Sequence, residues 1–157
     1  MNLYIMRHGD AEQSSGKDSL RALTAKGQQE ALTAGQWLQQ YDHNISLALV
    51  SPYKRTQQTF AKVHQSLPSA RQLTTEELVP DATPANVQDL LDGILLNDPG
   101  TQSVLLVSHM PLVCYLVDTF TGQHGPLFAT ASIIHIEYDK DTHIGELKFC
   151  YHVPSLA

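Results

Sequence analysis

The sequence has few of the features that mark disulfide-bonded, zinc-binding or nucleic-acid-binding proteins. Only two of its 157 residues are cysteines, Cys114 and Cys150, and they form no Cys-x-x-Cys pair. In a reducing compartment such isolated cysteines are expected to be buried apolar residues, and no disulfide or zinc framework is predicted. The ten lysines and arginines are scattered along a chain with a formal net charge of -6. This balance argues against a nucleic-acid surface, which needs clustered basic residues.

Long hydrophobic runs are also missing. The first apolar run is interrupted at Arg7, and the later run "VLLVSH" is far too short to span a bilayer, so neither a signal peptide nor a membrane partner is predicted. We therefore expect a cytoplasmic protein. The chain is 42% hydrophobic and contains no repeat, low-complexity tract or linker, and its length suffices for one sizeable core. The whole chain, 1–157, is thus predicted to be a single domain, and we expect it to be monomeric.

Strand and helix signals alternate along the chain, which is typical of an α/β fold with a mainly parallel central sheet covered on both faces. Apolar runs predict strands at 2–6, 47–50, 72–75 and 103–107. Two alternating segments joined by the turn "KDTH" predict a hairpin of 132–139 and 145–153. Helices are predicted from Thr24, from Pro52 to about Leu67, over 84–96, and from Pro111 to Phe120. A polar loop, 10–21, separates the first strand from the first helix.

Two of these helices carry further local signals. In the first, small apolar residues at helical spacing form a stripe that would let the helix lie close to a sheet: Ala31, Ala34, Gly35 and Leu38. In the second, Ser51 and Pro52 have the residue types of an N-cap and a first helical position. The inner face of the second helix is predicted to consist of Thr56, Phe60, Val63 and Leu67.

Polar side chains follow three of the predicted strands, at the edge where ligands bind in open α/β sheets. The first strand ends in Arg7-His8-Gly9, the second leads to Arg55 in the first turn of its helix, and the most apolar strand ends in Ser108-His109. Two cations and two imidazoles are therefore expected at one edge, beside helix N-termini that add N–H donors. This combination favours an anion, above all a phosphoryl group, because the planar fork of arginine holds two oxygens at once. Gly9 is either a turn glycine or a point where the backbone approaches the ligand.

A second interpretation is that the same histidines bind the metal ion of a metal-dependent hydrolase. It would use His8 and His109 with a third ligand from His124, His135 or His152. We disfavour it because zinc sites usually take their third ligand from a recognisable cluster, and because an arginine beside the ion would be unfavourable. His135 and His152 are better explained as polar-face positions on the final strands. The remaining histidines are expected to be ordinary surface residues: His43, His64, His124 and His143.

Three motifs in this order resemble those of the histidine phosphatase superfamily, which has the phosphoglycerate-mutase-like fold: "RHG", "SPYKRTQQT" and "VSHMP". Within it, "RHGDA", "DSLRALTAKG" and "SHMPLV" most resemble the SixA-type phosphohistidine phosphatases. The resemblance implies a three-layer α/β/α sandwich and a reaction without cofactor or metal. It also implies that His8 is the nucleophile, forming a phosphohistidine enzyme, while Arg7, Arg55 and His109 hold the phosphoryl oxygens, with Gly9 beside them.

The proton donor is less well marked. Most members of the superfamily carry an acid for the leaving group, and by order along the chain the nearest candidates are Glu76 and Glu77. Asp18 is another candidate, although Asp18 and Arg21 could equally be a structural pair that shapes the rim of the site. A phosphoramidate needs less acid assistance, because the pKa of its leaving imidazole is about 6.5.

The expected substrate is a histidine-phosphorylated protein such as a phosphotransfer domain. The run "RHGDAEQ" lacks the asparagine pattern common in relatives that act on small metabolites. The segment 77–103 has room for little beyond one helix, so the pocket is expected to be shallow. Two alternatives stay open: a small-molecule phosphomonoesterase of the same superfamily, and a phosphoprotein-binding module without turnover.

Overall fold

The computed structural model describes residues 1–13 and 16–155, within which six strands form one mixed sheet. Ser14 and Ser15 of the predicted loop 10–21, and Leu156 and Ala157 of the predicted domain 1–157, lie outside the described residues. The strands are β1 (Asn2–Arg7), β2 (Ile45–Val50), β3 (Arg71–Thr74), β4 (Ser103–Ser108), β5 (Ile133–Asp139) and β6 (Ile144–Tyr151). Their order across the sheet is β3-β2-β4-β1-β5-β6. Neighbours among β1 to β4 pair in parallel, and β5 pairs antiparallel with both β1 and β6.

Helices cover both faces of this sheet. They are α1 (Ala25–Tyr41), α2 (Lys54–His64), α3 (Pro84–Asn97) and α4 (Leu112–Thr121). Alternation along β1 sends Tyr4 and Met6 into one core with α1 and α2, and Leu3 and Ile5 into another core with α3 and α4. Strands covered on both faces are apolar throughout, which is why the central strands read as continuous hydrophobic runs. The predicted three-layer α/β/α sandwich with a mainly parallel sheet is confirmed.

The small-residue stripe of α1 packs as predicted, and all four of its residues are buried. A Cβ added to Gly35 would lie 2.8 Å from the Cα of Val63, so only glycine allows α1 to pack this close to α2. Thr24 caps α1, because its side-chain oxygen accepts a hydrogen bond from the Gly27 N–H (3.0 Å). The predicted start of this helix is therefore confirmed.

The predicted start of α2 is wrong. The helix begins at Lys54 with Tyr53 as N-cap, instead of at Pro52 with Ser51 as cap. The reason is tertiary: Ser51 Oγ lies 2.8 Å from Nε2 of His109, across the sheet edge. The helix also ends at His64 rather than near Leu67, although Leu67 is buried as expected.

The expectation of buried cysteines is wrong as well, since both are free thiols of intermediate exposure. Cys114 lies beside the buried stripe of α4, and Cys150 lies on β6, which is an edge strand. The C-terminal hairpin is confirmed, although β6 ends at Tyr151 and leaves His152 beyond it. Within the described ranges, no helix is both long and apolar enough to cross a membrane.

Candidate active site

The carboxyl ends of the three central strands bring the predicted site residues together. In the sheet β4 lies between β2 and β1, and the register pairs Arg7 with Ser108 and Val50 with Val107. The residues that follow the three strands therefore leave the sheet at the same level. The rings of His8 and His109 lie 5.3 Å apart between centroids, and Arg55 Nε lies 3.3 Å from His8 Nε2.

His8 is held as a neutral imidazole with its lone pair on Nε2. Its Nδ1 lies 2.7 Å from the carbonyl oxygen of Gly9, which can only accept, so Nδ1 carries the proton. The guanidinium Nε–H of Arg55 donates to Nε2, which agrees with this tautomer. Burial, and then the charges of Arg55 and Arg7, lower the pKa of His8 to about 4, although the Gly9 hydrogen bond opposes this. At neutral pH the ring presents an unprotonated nitrogen, which is what a nucleophile requires.

Arg55 is fixed by three hydrogen bonds although it lies in the first turn of a helix. Its side chain is buried, and its other two nitrogens donate to Asp18, Nη1 to the backbone oxygen (2.7 Å) and Nη2 to Oδ2 (3.0 Å). The guanidinium carbon also lies 5.2 Å from the centre of the Tyr53 ring. The cation is therefore in place before any anion binds, which is the arrangement that electrostatic stabilisation requires.

Arg7 and His109 each leave one buried nitrogen without a partner. Arg7 Nη1 donates to the carbonyl of Phe128 (2.9 Å), and His109 Nε2 lies 2.8 Å from Ser51 Oγ. Arg7 Nε and His109 Nδ1 are the two buried side-chain polar atoms without a hydrogen bond among the described residues. An unpaired buried polar atom costs roughly 1–3 kcal/mol, so two of them in one site are typical of a site that binds a polar ligand.

His109 is neutral in the ligand-free site. Burial lowers its pKa well below the usual range, and Coulombic interactions with His8 and Arg55 lower it further. Its ring packs edge-on against Tyr53, with centroids 5.0 Å apart. A neutral imidazole has one N–H to donate, so the position of that proton decides what His109 can do in the site.

Asp18 and Arg21 form the predicted pair on the rim of the site. Asp18 Oδ1 accepts from Arg21 Nη1 (3.0 Å) while Oδ2 accepts from Arg55. The hydrogen bond from Arg21, followed by that from Arg55, holds the pKa of the Asp18 carboxyl below its usual range. Arg21 Nε also donates to the carbonyl of Glu12 (2.7 Å), which fastens the loop. An ionised carboxylate that orients Arg55 fits the rim role better than that of a proton donor.

Glu76 and Glu77 lie in a short 3-10 turn, Glu76–Leu78, beside the end of β4. Ser108 Oγ donates to the carbonyl of Leu78 (2.7 Å), so the turn is held next to His109. Glu76 is exposed and Glu77 is half-buried. In the part of the chain that the structure describes, the Glu77 carboxylate has no hydrogen-bond or ion-pair partner. Its role as an acid stays a prediction.

Packing against α1 requires a glycine at position 9. A Cβ at this position would lie 2.5 Å from the carbonyl oxygen of Gly27, so any other residue would push the loop away from α1. The Gly9 N–H donates to Thr59 Oγ1 (3.1 Å), and Thr59 Oγ1 donates to the carbonyl of Arg55 (2.7 Å). The loop after β1 is thus tied to the helix that carries Arg55. Contact between Gly9 and phosphate stays a prediction.

Sequence reasoning missed two supporting residues, Ser51 and Glu30. Glu30 accepts hydrogen bonds from the Asp10 N–H (2.9 Å) and from Thr130 Oγ1 (3.0 Å), and so joins two loops near the site. No local signal points to Glu30, because its partners are 20 and 100 residues away. Ser51 carried a usable signal, since it directly follows a central strand just as His8 and His109 do.

The other three histidines considered as metal ligands contact residues other than the site side chains. His124 pairs with Asp118, His135 Nε2 lies 2.8 Å from Asn2 Oδ1, and His152 Nδ1 lies 2.7 Å from Ser132 Oγ. Within residues 1–13 and 16–155 no group of three or more His, Cys, Asp or Glu is placed to hold a metal ion. The metal-hydrolase alternative thus lacks its third ligand among the described residues. The histidines expected on the surface are exposed: His43, His64, His124 and His143.

Comparison with known proteins gives one consistent set of relatives. The family model of the histidine phosphatase superfamily (branch 1) matches residues 3–79. The chain is 37% identical over 145 residues to the phosphohistidine phosphatase SixA of Escherichia coli (strain K12), covering 89% of this chain and 87% of that protein. A SixA homolog of Haemophilus influenzae is 37% identical over 148 residues, covering 88% and 89%. The solved structure of the protein histidine phosphatase SixA complexed with tungstate matches with a TM-score of 0.87 and 35% identity, covering 96% of each chain.

Proposed function

The chain belongs to the histidine phosphatase superfamily, and from this premise we propose that it is a phosphohistidine phosphatase of the SixA type. It removes the phosphoryl group from a histidine of a partner protein through a phospho-His8 intermediate. The observation that carries this proposal is the pair of unpartnered buried nitrogens, Arg7 Nε and His109 Nδ1. The rings of His8 and His109 lie 5.3 Å apart, Arg55 donates to the lone pair of His8, and the charges of Arg55 and Arg7 both lower the pKa of His8. A tetrahedral oxyanion supplies the acceptors that this arrangement needs.

Phosphoryl binding and activation of the nucleophile are coupled through Arg55. The lone pair on His8 Nε2 that attacks phosphorus is the one that accepts the Arg55 Nε–H in the free site. This 3.3 Å hydrogen bond is long, and it breaks when a phosphoryl oxygen becomes the acceptor for Arg55. The two hydrogen bonds to Asp18 leave the guanidinium in position during the exchange.

The chemistry follows from these positions. His8 Nε2 attacks phosphorus in line, the bond from phosphorus to the substrate imidazole breaks, and its electron pair goes to the leaving nitrogen. Arg7, Arg55 and His109 stabilise the charge on the equatorial oxygens. Water then attacks phosphorus, the bond from phosphorus to Nε2 of His8 breaks, and its electron pair returns to Nε2. One proton of the attacking water passes to solvent, inorganic phosphate is released, and the neutral ring is restored. The leaving imidazole is easily protonated near neutral pH, so the reaction does not require Glu77 as a general acid.

The rim of the site supports a protein as the phosphoryl donor. Leu20 is 64% exposed and lies two residues from Asp18, which binds Arg55. Leu127 is 78% exposed and precedes Phe128, whose carbonyl binds Arg7. Exposed apolar side chains next to a phosphate site offer area for a partner surface, as for a cytoplasmic phosphotransfer domain.

The test is turnover of a phosphohistidine-bearing phosphotransfer protein by the wild type and by His8→Ala. We expect the wild type to release phosphate, and quenching during turnover to trap an acid-labile, alkali-stable adduct on His8. The variant should fold and form no adduct. Phosphate release without any adduct on His8 would contradict the mechanism. Faster hydrolysis of sugar phosphates would favour a small-molecule phosphatase, and tight binding without release would favour a binding module.

A further inference from the structure

We propose that Ser51 is a positioning residue that fixes the tautomer of His109, so that Nδ1–H of this ring donates to the phosphoryl group. The inference rests on the proposed function, because a phosphoryl oxygen is the acceptor it assigns to His109. It adds a fifth side chain to a reaction otherwise assigned to two arginines and two histidines.

The position of Ser51 is fixed on every side. The residue is fully buried at the end of β2, and its backbone N–H donates to the carbonyl of Val107 (3.1 Å). Its own carbonyl accepts from Thr56 Oγ1 (2.9 Å) and from Gln57 Nε2 (2.8 Å). The backbone of Ser51 is therefore held in place, and its hydroxyl oxygen lies 2.8 Å from Nε2 of His109.

The hydrogen bonds around this hydroxyl select one tautomer. Ser51 Oγ accepts the backbone N–H of Tyr53 (3.4 Å), which leaves its own proton to be donated. If Nε2 of His109 carried the proton, Oγ would accept twice, and both the hydroxyl proton and the Nδ1 lone pair would be buried without partners. If Nδ1 carries the proton, the hydroxyl donates to Nε2 and only Nδ1–H stays unpaired. Nδ1 has no partner in either arrangement, so the second one leaves a single buried group unpaired instead of two.

The tautomer decides whether His109 attracts or repels the substrate. A phosphoryl oxygen accepts an N–H readily, whereas a lone pair aimed at the same oxygen is repulsive. The hydrogen-bond partners of the two rings therefore give the histidines different roles, one as lone-pair donor and the other as N–H donor. A carbonyl, that of Gly9, makes His8 present its lone pair, and a hydroxyl makes His109 present its proton.

The experiment compares Ser51→Ala and Ser51→Thr with the matched control Ser103→Ala. Ser103 is also fully buried and also donates a hydrogen bond, to Asp42 Oδ2 (2.6 Å), but it lies at the opposite end of β4. The imidazole nitrogens of ¹⁵N-labelled protein are followed by NMR, with inorganic phosphate as the bound anion. Turnover of the phosphohistidine protein is measured in parallel.

We expect the wild type and Ser103→Ala to show the proton of His109 on Nδ1, and phosphate to shift that signal. Ser51→Ala should lose this signature and lower kcat by about 10-fold to 100-fold, by analogy with the loss of a partner that orients a metal-bound histidine. Ser51→Thr, which keeps the hydroxyl, should recover the signature and most of the rate.

Two outcomes would overturn the proposal. One is a wild-type spectrum with the proton on Nε2 of His109, which needs no variant to fold. The other is a folded Ser51→Ala protein with wild-type signals and rate. If the protein fails to hydrolyse phosphohistidine while the phosphate-bound spectra are as expected, the proposed function fails and the assignment of Ser51 stands.

Discussion

Replacing His8 with asparagine is expected to make the free energy of unfolding less sensitive to acid. His8 is 7% exposed, and burial, with help from Arg55 and Arg7, lowers its pKa from 6.5 to about 4. Between those two pH values the unfolded chain binds a proton at residue 8 that the folded chain does not. Unfolding is therefore favoured increasingly as the pH falls from 6.5 to 4, and the effect levels off below 4.

The size of the effect follows from the two pKa values. The difference between 6.5 and about 4, at about 1.4 kcal/mol per pH unit, corresponds to a full effect of about 3 kcal/mol in the free energy of unfolding. Between pH 7 and pH 4.5, about 2 kcal/mol of it is lost by linkage. Asparagine does not titrate in this range, and its side-chain N–H can replace the His8 Nδ1–H that donates to Gly9.

The assay is urea denaturation of the wild type and His8→Asn at pH 7 and pH 4.5. The wild type should lose about 2 kcal/mol more than the variant on acidification, since His109 contributes to both proteins. The control is His43→Asn, at an exposed histidine, which should leave the wild-type pH dependence unchanged. Equal losses in the wild type and His8→Asn, or an NMR titration of His8 centred near 6.5, would refute the reasoning.

Three further predictions concern the reaction. Arg55→Ala is expected to lower kcat by about 100-fold, which is the usual effect of losing one oxyanion donor. Arg55→Lys should not restore kcat, because an ammonium lacks the planar fork of a guanidinium. A near-normal kcat in Arg55→Ala would contradict the role of Arg55 as an oxyanion donor. Leu20→Ser and Leu127→Ser should each lower kcat/KM for the phosphoprotein, relative to kcat/KM for a small phosphoramidate, by about ten-fold. The control Leu96→Ser, at a residue of α3 that is 84% exposed, should keep the wild-type ratio. The same ratio in the wild type and all three variants would contradict a protein-binding role for Leu20 and Leu127. Glu77→Gln should cost the phosphohistidine substrate less than about ten-fold in single-turnover phosphate release, and a loss of about 1,000-fold would identify an obligatory acid.

The layered fold and the converging site residues were predictable because both depend on local patterns. Continuous apolar runs mark strands that are covered on both faces, and parallel strands must bring their carboxyl ends to one edge. Arg7 is the last residue of β1, and His8 and His109 directly follow β1 and β4, so the site could be assembled without knowing the order of the strands in the sheet. The motif resemblance pointed to the same residues.

The errors arose where one residue type has two physical uses. A serine before a proline is a good helix cap, and although Ser51 directly follows a central strand, its neighbours in the sequence do not show which residue its hydroxyl contacts. Its partner, His109, is 58 residues away and is brought close only by the pairing of β2 with β4. The contact between Asp18 and Arg55 is likewise not visible in the local sequence, because the two residues are 37 positions apart.

The same limit explains why the motifs alone do not separate the tasks of the two histidines. Each histidine follows a central strand and each ring is buried, so their local sequences predict similar environments. The difference lies behind the rings, where His8 meets a carbonyl that can only accept and His109 meets a hydroxyl that can also donate. One ring must therefore expose a lone pair, and the other is free to expose its proton. In the proposed mechanism a nucleophile and an oxyanion donor are thus made from the same type of side chain, by contacts that only the folded sheet brings together.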